Sequence, residues 1–306
     1  MAESAQIIVM QLIKMFIFIV IGVCLYKSKL VTEDGSKSIA NMLIFAVVPC
    51  VILNSLFVER TPESVKLVLF SLLAGALALA ICFVISALLF RKNPMEHFGS
   101  AFANAGFMGL PLVTSALGAG NVICVTGFFL LQSVAMWFYN VLIMRKKDDP
   151  INFKSLFTSP ITISLIVGFI IFFCGIKAPD IIKDCVTTLS ACNSPVAMIV
   201  LGVYIGKTNF KEIFTTGRLY GLAATRLVLI PIATILVLFL VPAEYINVRV
   251  ATLISASAPI AINTAVYSQK AGFDYTYAVK GVCLSTLLSI ITLPLTVLAA
   301  GLIWNV

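Results

Sequence analysis

Apolar residues occupy most of this chain in long stretches that short polar segments separate. A helix needs about 20 consecutive apolar residues to cross the hydrocarbon core of a bilayer. Ten stretches approach or exceed that length, at residues 6–26, 37–57, 65–90, 98–117, 121–144, 158–176, 185–206, 217–241, 245–269 and 277–303. The pattern therefore predicts an all-α polytopic membrane protein with ten transmembrane helices.

Composition agrees with this interpretation. Of the 306 residues, 60% are hydrophobic and 11% are charged, whereas a soluble domain carries about 25% charged residues. The first stretch is too long, and its start at Glu3 too acidic, for a cleaved signal peptide. We therefore count it as the first span.

The basic residues predict the orientation in the membrane. Lys27, Lys29 and Lys37 follow the first span, and cytoplasmic loops carry an excess of Lys and Arg. With that loop inside, 14 of the 21 basic residues lie in cytoplasmic loops and five on the outer side. Ten spans then place both termini outside the cell membrane. The bias also explains the net charge of +8 without a nucleic-acid partner.

No motif in the sequence indicates an enzyme or a metal site. The eight cysteines lie mostly within apolar stretches and form no CxxC pair, so we interpret them as small buried residues rather than metal ligands. HExxH, GxSxG and Walker motifs are absent from the sequence. The one histidine, His97, lies beside Glu96 near a loop, and we expect it to be solvated. The sequence predicts no enzyme and no cofactor.

Two apolar stretches contain residues that interrupt a helix near mid-span. The fourth carries Asn104, Gly106, Gly109 and Pro111, and the ninth carries Pro259, Asn263 and Thr264. Proline removes a helical hydrogen bond, and each interior glycine costs about 1 kcal/mol relative to alanine. One reading is a pair of kinked, closely packed helices. The other is a pair of broken helices whose freed backbone groups bind a solute, as in many transporters.

Landmarks in the two halves recur at a nearly constant offset. The pairs are Gly22 with Gly168, Pro49 with Pro195, Pro111 with Pro259, and Ser133 with Ser285, at offsets of 146 to 152 residues. An odd number of spans per repeat inverts the second copy, as in many secondary transporters. The expected division is a first five-helix repeat at 1–144, a cytoplasmic linker at 145–157 and an inverted repeat at 158–306.

Away from the span ends, only two charges fall within predicted spans, and both are basic. Lys14 lies in the first span and Arg226 in the eighth. Each either snorkels toward an interface or contributes positive potential to an anion cavity. The 13 acidic residues lie in loops or at span ends, which counts against a cation exchanger built on carboxylates. Sodium bound by backbone carbonyls stays open.

Together these motifs resemble the auxin efflux carrier family, which includes plant PIN proteins and bacterial malate or malonate permeases. The resemblance covers essentially the whole chain. The residues that carry it are Asn104-x-Gly-Phe-Met-Gly-Leu-Pro111, Ala-Pro259-x-Ala-x-Asn263-Thr264, Gly272-x-Asp274, Asn41 with Pro49, and Arg226 with Pro231.

The resemblance implies two inverted five-span repeats in which spans four and nine unwind and cross at their prolines. It implies a scaffold of spans one, two, six and seven, and a transport domain of spans three to five and eight to ten. A solute carboxylate is expected at the crossover, with elevator-like movement. Asn104, Gly106, Gly109 and Pro111 would form one side of the site, and Pro259, Asn263 and Thr264 the other. The short loop between the repeats favours a small dicarboxylate over auxin.

Three functions remain open at this stage. The first is a secondary carrier for a small organic anion. The second is a sodium-coupled organic anion symporter of the bile acid type, and the third is a membrane receptor that does not transport. Gly202 and Gly206 in span seven suit either a homodimer or packing within the chain.

Overall fold

The computed structural model describes residues 2–144, 158–208 and 210–305, so the predicted linker at 145–157 lies outside the described residues. In chain order the helices are α1 (Ala2–Lys27), α2 (Glu33–Met42), α3 (Val48–Leu56), α4 (Pro62–Phe90), α5 (Pro94–Ala101), α6 (Leu110–Leu117), α7 (Ile123–Leu142), α8 (Pro160–Cys174), α9 (Asp180–Ala191), α10 (Asn193–Lys207), α11 (Phe210–Thr215), α12 (Gly217–Ala224), α13 (Ile230–Val237), α14 (Ile246–Ala256), α15 (Asn263–Ala271) and α16 (Tyr275–Trp304). Within these ranges there is no β-strand, and the all-α prediction is confirmed.

Seven helical segments of the described chain are long and apolar enough to cross a membrane. They are Glu3–Lys27, Asp34–Leu56, Pro62–Phe90, Ile123–Asn140, Asp180–Lys207, Gly217–Leu240 and Tyr275–Trp304. Span six is a shorter apolar helix of 15 residues, and spans four and nine are each divided into two helices. The protein is thus a polytopic membrane protein, while the count of ten spans stays a prediction.

Three spans contain a π-helical turn directly before a proline. The turns are Leu43–Val47 before Pro49, Ala105–Gly109 before Pro111, and Thr225–Leu229 before Pro231. A proline cannot donate to the preceding turn, and its ring collides with the carbonyl group four residues back. A wider π turn absorbs this mismatch. These prolines therefore sit inside continuous helical segments and do not end them.

Glycines allow α1 and α10 to pack with their backbones in contact. A methyl group on Gly22 would lie 2.1 Å from the carbonyl oxygen of Ile199, and one on Gly202 would lie 2.1 Å from that of Ile19. Gly206 likewise faces the ring of Tyr26. Of the two readings of Gly202 and Gly206, packing within the chain is therefore the one that the structure uses.

Small residues bring α4 and α7 equally close. A methyl group on Gly75 would lie 2.5 Å from the amide nitrogen of Phe128. The amide of Gly127 donates to Oγ of Ser71 over 3.1 Å. This tight pair flanks the interrupted spans and supports them from one side.

Candidate functional site

Spans four and nine cross as extended backbone in the interior of the protein. Helix α5 ends at Ala101 and α14 at Ala256. Beyond these ends Ala103 and Ile260 form an antiparallel bridge. The amide of Asn104 donates to the carbonyl oxygen of Pro259 over 2.7 Å, and that of Ala261 donates to Phe102 over 3.1 Å. We call this element, residues 102–104 with 257–262, the crossover.

The expectation that both spans cross at their prolines is correct for span nine and wrong for span four. Pro259 lies in the crossover, where it needs only its carbonyl oxygen to accept from Asn104. Pro111 lies inside the helical segment Ala105–Leu117, where the π turn Ala105–Gly109 absorbs its missing N–H. The match of Pro111 with Pro259 therefore does not join equivalent positions, since the bridge pairs Ala103 with Ile260.

Side chains from the following spans hold the backbone of the bridge. Gln132 on α7 accepts from the amide of Ala103 over 3.0 Å and donates to its carbonyl oxygen over 2.9 Å. Ser285 on α16 accepts from the amide of Ile260 over 3.2 Å. Buried backbone groups require such partners because water does not reach them. The functional counterpart of Ser285 is thus Gln132, while Ser133 bonds within its own helix to Phe129.

Arg226 lies fully buried against the C-terminal ends of α5 and α14. Its Nε donates to the carbonyl oxygen of Ala258 over 3.0 Å, and one terminal nitrogen donates to Ser100 over 3.0 Å. The other terminal nitrogen bonds the carbonyl oxygen of Ala256. The side chain is 0% exposed and does not snorkel. It places a positive charge where two helix ends contribute partial negative charge.

Lys14 lies elsewhere. Its side chain is exposed on α1, and it is not among the residues that line the crossover cavity. This position fits the snorkelling alternative, in which the ammonium group reaches the interface along the helix surface.

A small cavity lies against one face of the crossover. Its volume is about 50 Å³, and its polar lining comes from Asn104, Gln132, Ser133, Asn193 and Asn263. That volume admits a few waters but falls well below the roughly 300 Å³ of ordinary small-molecule sites. None of its lining residues is charged. The described conformation therefore presents a contracted, neutral and partly polar site.

Two of the predicted site residues, Asn104 and Asn263, line this space with side-chain nitrogens that have no strong acceptor. Asn104 is 2% exposed, and its side-chain nitrogen has no hydrogen-bond partner in the described part of the chain. The amide nitrogen of Asn263 lies 3.0 Å from the sulfur of Met136, a weak acceptor. Buried donors without strong acceptors are rare because they cost free energy. Both amides are thus available to a ligand.

The remaining predicted residues serve different purposes. Gly106 lines the cavity and faces the ring of Phe129. Gly109 lets α6 approach α14, because a methyl group there would lie 2.9 Å from Cα of Ser255. Thr264 is buried at the start of α15, and the structure places its hydroxyl oxygen without a partner among the described residues. It does not line the cavity.

Asn193, at the start of α10, is a site residue that sequence reasoning did not select. Its side-chain nitrogen donates to the carbonyl oxygen of Gly106 over 2.8 Å, and its side-chain oxygen has no partner within the described ranges. The signal was present, since Asn193 and Pro195 lie close together near mid-span, as Pro259 and Asn263 do in span nine. This pattern did not single out Asn193 because the more heavily interrupted stretches lie in spans four and nine.

Asn193 also borders a second, larger cavity of about 700 Å³, which we call the vestibule. Polar residues from five helices line it, among them Gln11, Asn54, Thr114, Thr187 and Asn193. It reaches Val58, Glu59 and Gly120, at loops that the charge bias places outside. The vestibule and the small cavity therefore share Asn193 in their linings.

Comparison with known proteins agrees with this architecture. A family model described as "Membrane transport protein" matches residues 7–155 and 149–297. The chain belongs to this family. The resemblance to auxin efflux carriers is thereby confirmed. A protein of Rhizobium meliloti (strain 1021) named "Putative malonate transporter" is 25% identical to this membrane transport protein over 285 residues, covering 87% of this chain and 88% of that protein.

One buried carboxylate lies at the predicted cytoplasmic end of this membrane transport protein. Glu96 is 1% exposed and is the only buried acidic residue in the described ranges. It forms an ion pair with Arg218 over 2.6 Å and accepts from the hydroxyl of Tyr277 over 2.8 Å. Its neighbour His97 stacks on Tyr139 with ring centroids 5.3 Å apart. His97 is thus half-buried rather than fully solvated, since α5 packs this side chain against α7.

Proposed function

We propose that this membrane transport protein is a secondary carrier for a small organic anion, a mono- or dicarboxylate such as malate or malonate. The observation that carries the proposal is the buried, unpartnered side-chain nitrogen of Asn104 at the crossover cavity. An amide donates to a carboxylate without placing a fixed charge at mid-membrane. A hydrogen bond to an anion of this kind contributes about 1.5–3 kcal/mol.

The surrounding electrostatics favour an anion. Two helical segments, Ala105–Leu117 and Asn263–Ala271, begin at the crossover, and helix N-termini carry partial positive charge. Arg226 offsets the opposing negative ends of α5 and α14. The cavity lining contains no carboxylate that would repel the solute. The name of the Rhizobium meliloti relative, "Putative malonate transporter", supports the same substrate class.

The helix contacts support an elevator-type division into scaffold and transport domains. Helix α1 packs along α10 and α3 packs against α8, whereas α4 packs along α7 and contacts α14. The bond from Asn193 to Gly106 joins the proposed scaffold to the proposed transport domain. In this scheme the solute enters through the vestibule, and the small cavity opens when the two domains shift.

The test begins with the melting temperature of the purified protein in detergent against a panel of mono- and dicarboxylates. A ligand that binds the native state raises that temperature, and the rise grows with the logarithm of its concentration above the dissociation constant. Uptake of the best stabiliser into proteoliposomes then distinguishes a carrier from a receptor, which would bind without flux. If no carboxylate stabilises the protein or crosses the membrane, the proposal is wrong.

A further inference from the structure

Carbonyl oxygens from two helix ends converge at one buried point behind the crossover. Ser100 and Ala101 belong to the last turn of α5, and Ala256 and Ala258 lie at and just beyond the end of α14. Helix C-termini carry partial negative charge. In transporters with broken helices, carbonyl groups of this kind coordinate the coupling cation. The backbone here therefore forms a cluster suited to a small cation.

In this chain a side chain fills that position. The guanidinium of Arg226 donates to Ser100 over 3.0 Å, to Ala101 over 3.4 Å and to Ala258 over 3.0 Å, and it also bonds Ala256. A terminal nitrogen also donates to the sulfur of Cys82 over 3.6 Å. The compensation for its charge comes from carbonyl groups, since the one buried carboxylate of the described ranges, Glu96, pairs with Arg218.

The position of Arg226 along span eight explains how it reaches both ends. It lies in the π turn Thr225–Leu229, which Pro231 follows. The planar guanidinium offers five N–H donors in a fixed fork, enough to serve carbonyl groups from two helices at once. A sodium ion at the same point would need similar oxygen ligands but could dissociate.

We propose that Arg226 is a tethered cation that occupies the place of a coupling ion, so that the protein moves its solute without sodium. The occupancy of the carbonyl cluster is independent of the solute. The absence of sodium coupling rests on the proposed transport function. The positive charge would remain with spans four, eight and nine through the whole transport cycle.

Replacing the Arg226 guanidinium with a free cation tests whether the carbonyl cluster binds a cation. In Arg226→Ala the four carbonyl oxygens lose their donors, and added sodium or guanidinium should bind there. We expect sodium chloride to raise the melting temperature of Arg226→Ala relative to choline chloride. Guanidinium at about 20 mM, far below denaturing concentrations, should also raise it. The expected rise is at least about 2 °C, with no change in the wild-type protein.

Arg249 provides a matched control. It is also buried and donates to backbone carbonyl oxygens, with Nε 2.8 Å from Val241 and a terminal nitrogen 3.4 Å from Phe239. These carbonyl groups belong to a single helix end. Arg249→Ala should therefore melt at a lower temperature than the wild-type protein, and added sodium should not raise that temperature. Failure of both cations to stabilise folded Arg226→Ala, or an equal gain in Arg249→Ala, would overturn the proposal.

Two further measurements decide the question if Arg226→Ala does not fold. Arg226→Lys keeps the cation, whereas Arg226→Gln keeps donors without charge, so the lysine variant should melt at the higher temperature. The reverse order contradicts a cation at this point. Wild-type uptake should proceed at equal initial rates in sodium and choline, and a sodium-dependent rate contradicts the absence of coupling. The melting temperatures need no solute, so their outcome is independent of the anion site.

Discussion

The backbone of Asn104 is tied to Pro259, and this bond frees the asparagine side chain. The amide nitrogen donates to the proline carbonyl oxygen over 2.7 Å, so the main chain of the crossover is satisfied without the side chain. The side-chain nitrogen then remains buried and unpartnered among the described residues, at the edge of the cavity. A group held in this way is preorganised for a ligand, because little conformational entropy remains to be lost on binding.

Asn104→Ala and Asn263→Ala should each weaken carboxylate binding by about tenfold to more than a hundredfold, as expected for one lost hydrogen bond to an anion. Melting temperatures without ligand should change little, because neither side-chain amide donates to an oxygen acceptor in the described structure. Calorimetric titration with the best carboxylate measures the affinities. Because both residues would share one ligand, the double variant should lose less than the sum of the single losses.

Asn247→Ala serves as a control for those two substitutions. Asn247 is exposed and bonds Asn121 over 3.2 Å, far along α14 from the crossover. The affinity of Asn247→Ala for the carboxylate should equal that of the wild-type protein. Wild-type affinity in both Asn104→Ala and Asn263→Ala would instead place the solute elsewhere.

Asn193→Ala should change transport more than binding. The substitution removes the 2.8 Å bond from span seven to the carbonyl oxygen of Gly106, which joins the two proposed domains. We expect the initial rate of uptake into proteoliposomes to change at least about threefold while affinity stays within about twofold, a shift of roughly 0.4 kcal/mol. Ser190→Ala, in the same vestibule wall, should alter neither. A tenfold loss of affinity in Asn193→Ala would assign Asn193 to the ligand itself.

Gly22→Ala should destabilise the contact between α1 and α10. Alanine favours a helix by about 1 kcal/mol over glycine, but its methyl group would lie 2.1 Å from the carbonyl oxygen of Ile199. Overpacking of this kind costs about 1–3 kcal/mol. Gly221→Ala is the control, since no atom lies within 4 Å of the added methyl group. Thermal melting should show a loss for the first variant and none for the second.

Glu96→Gln should lower the melting temperature, because the buried carboxylate accepts charge-assisted bonds from Arg218 and Tyr277. Glu212→Gln offers the comparison, since Glu212 pairs with Lys280 while remaining 51% exposed. Exposed ion pairs contribute about 0–1 kcal/mol. Thermal melting of both variants measures the difference, and equal losses would show that burial of Glu96 adds nothing.

The charge bias makes a prediction about sidedness that labelling can decide. In a background without the native cysteines, a cysteine introduced at Gly120 should react with an impermeant maleimide in intact cells. A cysteine at Asp148, which lies outside the described residues, should react only after permeabilisation. The opposite pattern would place the linker and both termini on the other sides of the membrane.

Features that depend on local composition could be predicted from the residues alone. Long apolar stretches predict helices because the bilayer offers no partners to exposed backbone groups, and the described chain is helical apart from its turns, its loops and the crossover. Clustered Asn, Gly and Pro marked the two interrupted spans, since these residues disfavour a regular helix wherever they occur. Asn104 and Asn263 were selected on that ground, and both line the cavity.

Which residues meet at the interruptions depends on how the helices pack in three dimensions. The crossing point at Ala103 and Ile260, rather than at Pro111, depends on pairing between distant segments. The guanidinium of Arg226 bonds Ser100 across 126 positions, and Asn193 bonds Gly106 across 87. A local pattern shows that a polar residue lies within an apolar span and has to find a partner. Which partner it finds is set by the packing of helices from both halves of the chain, because side chains far apart in sequence come into contact only there.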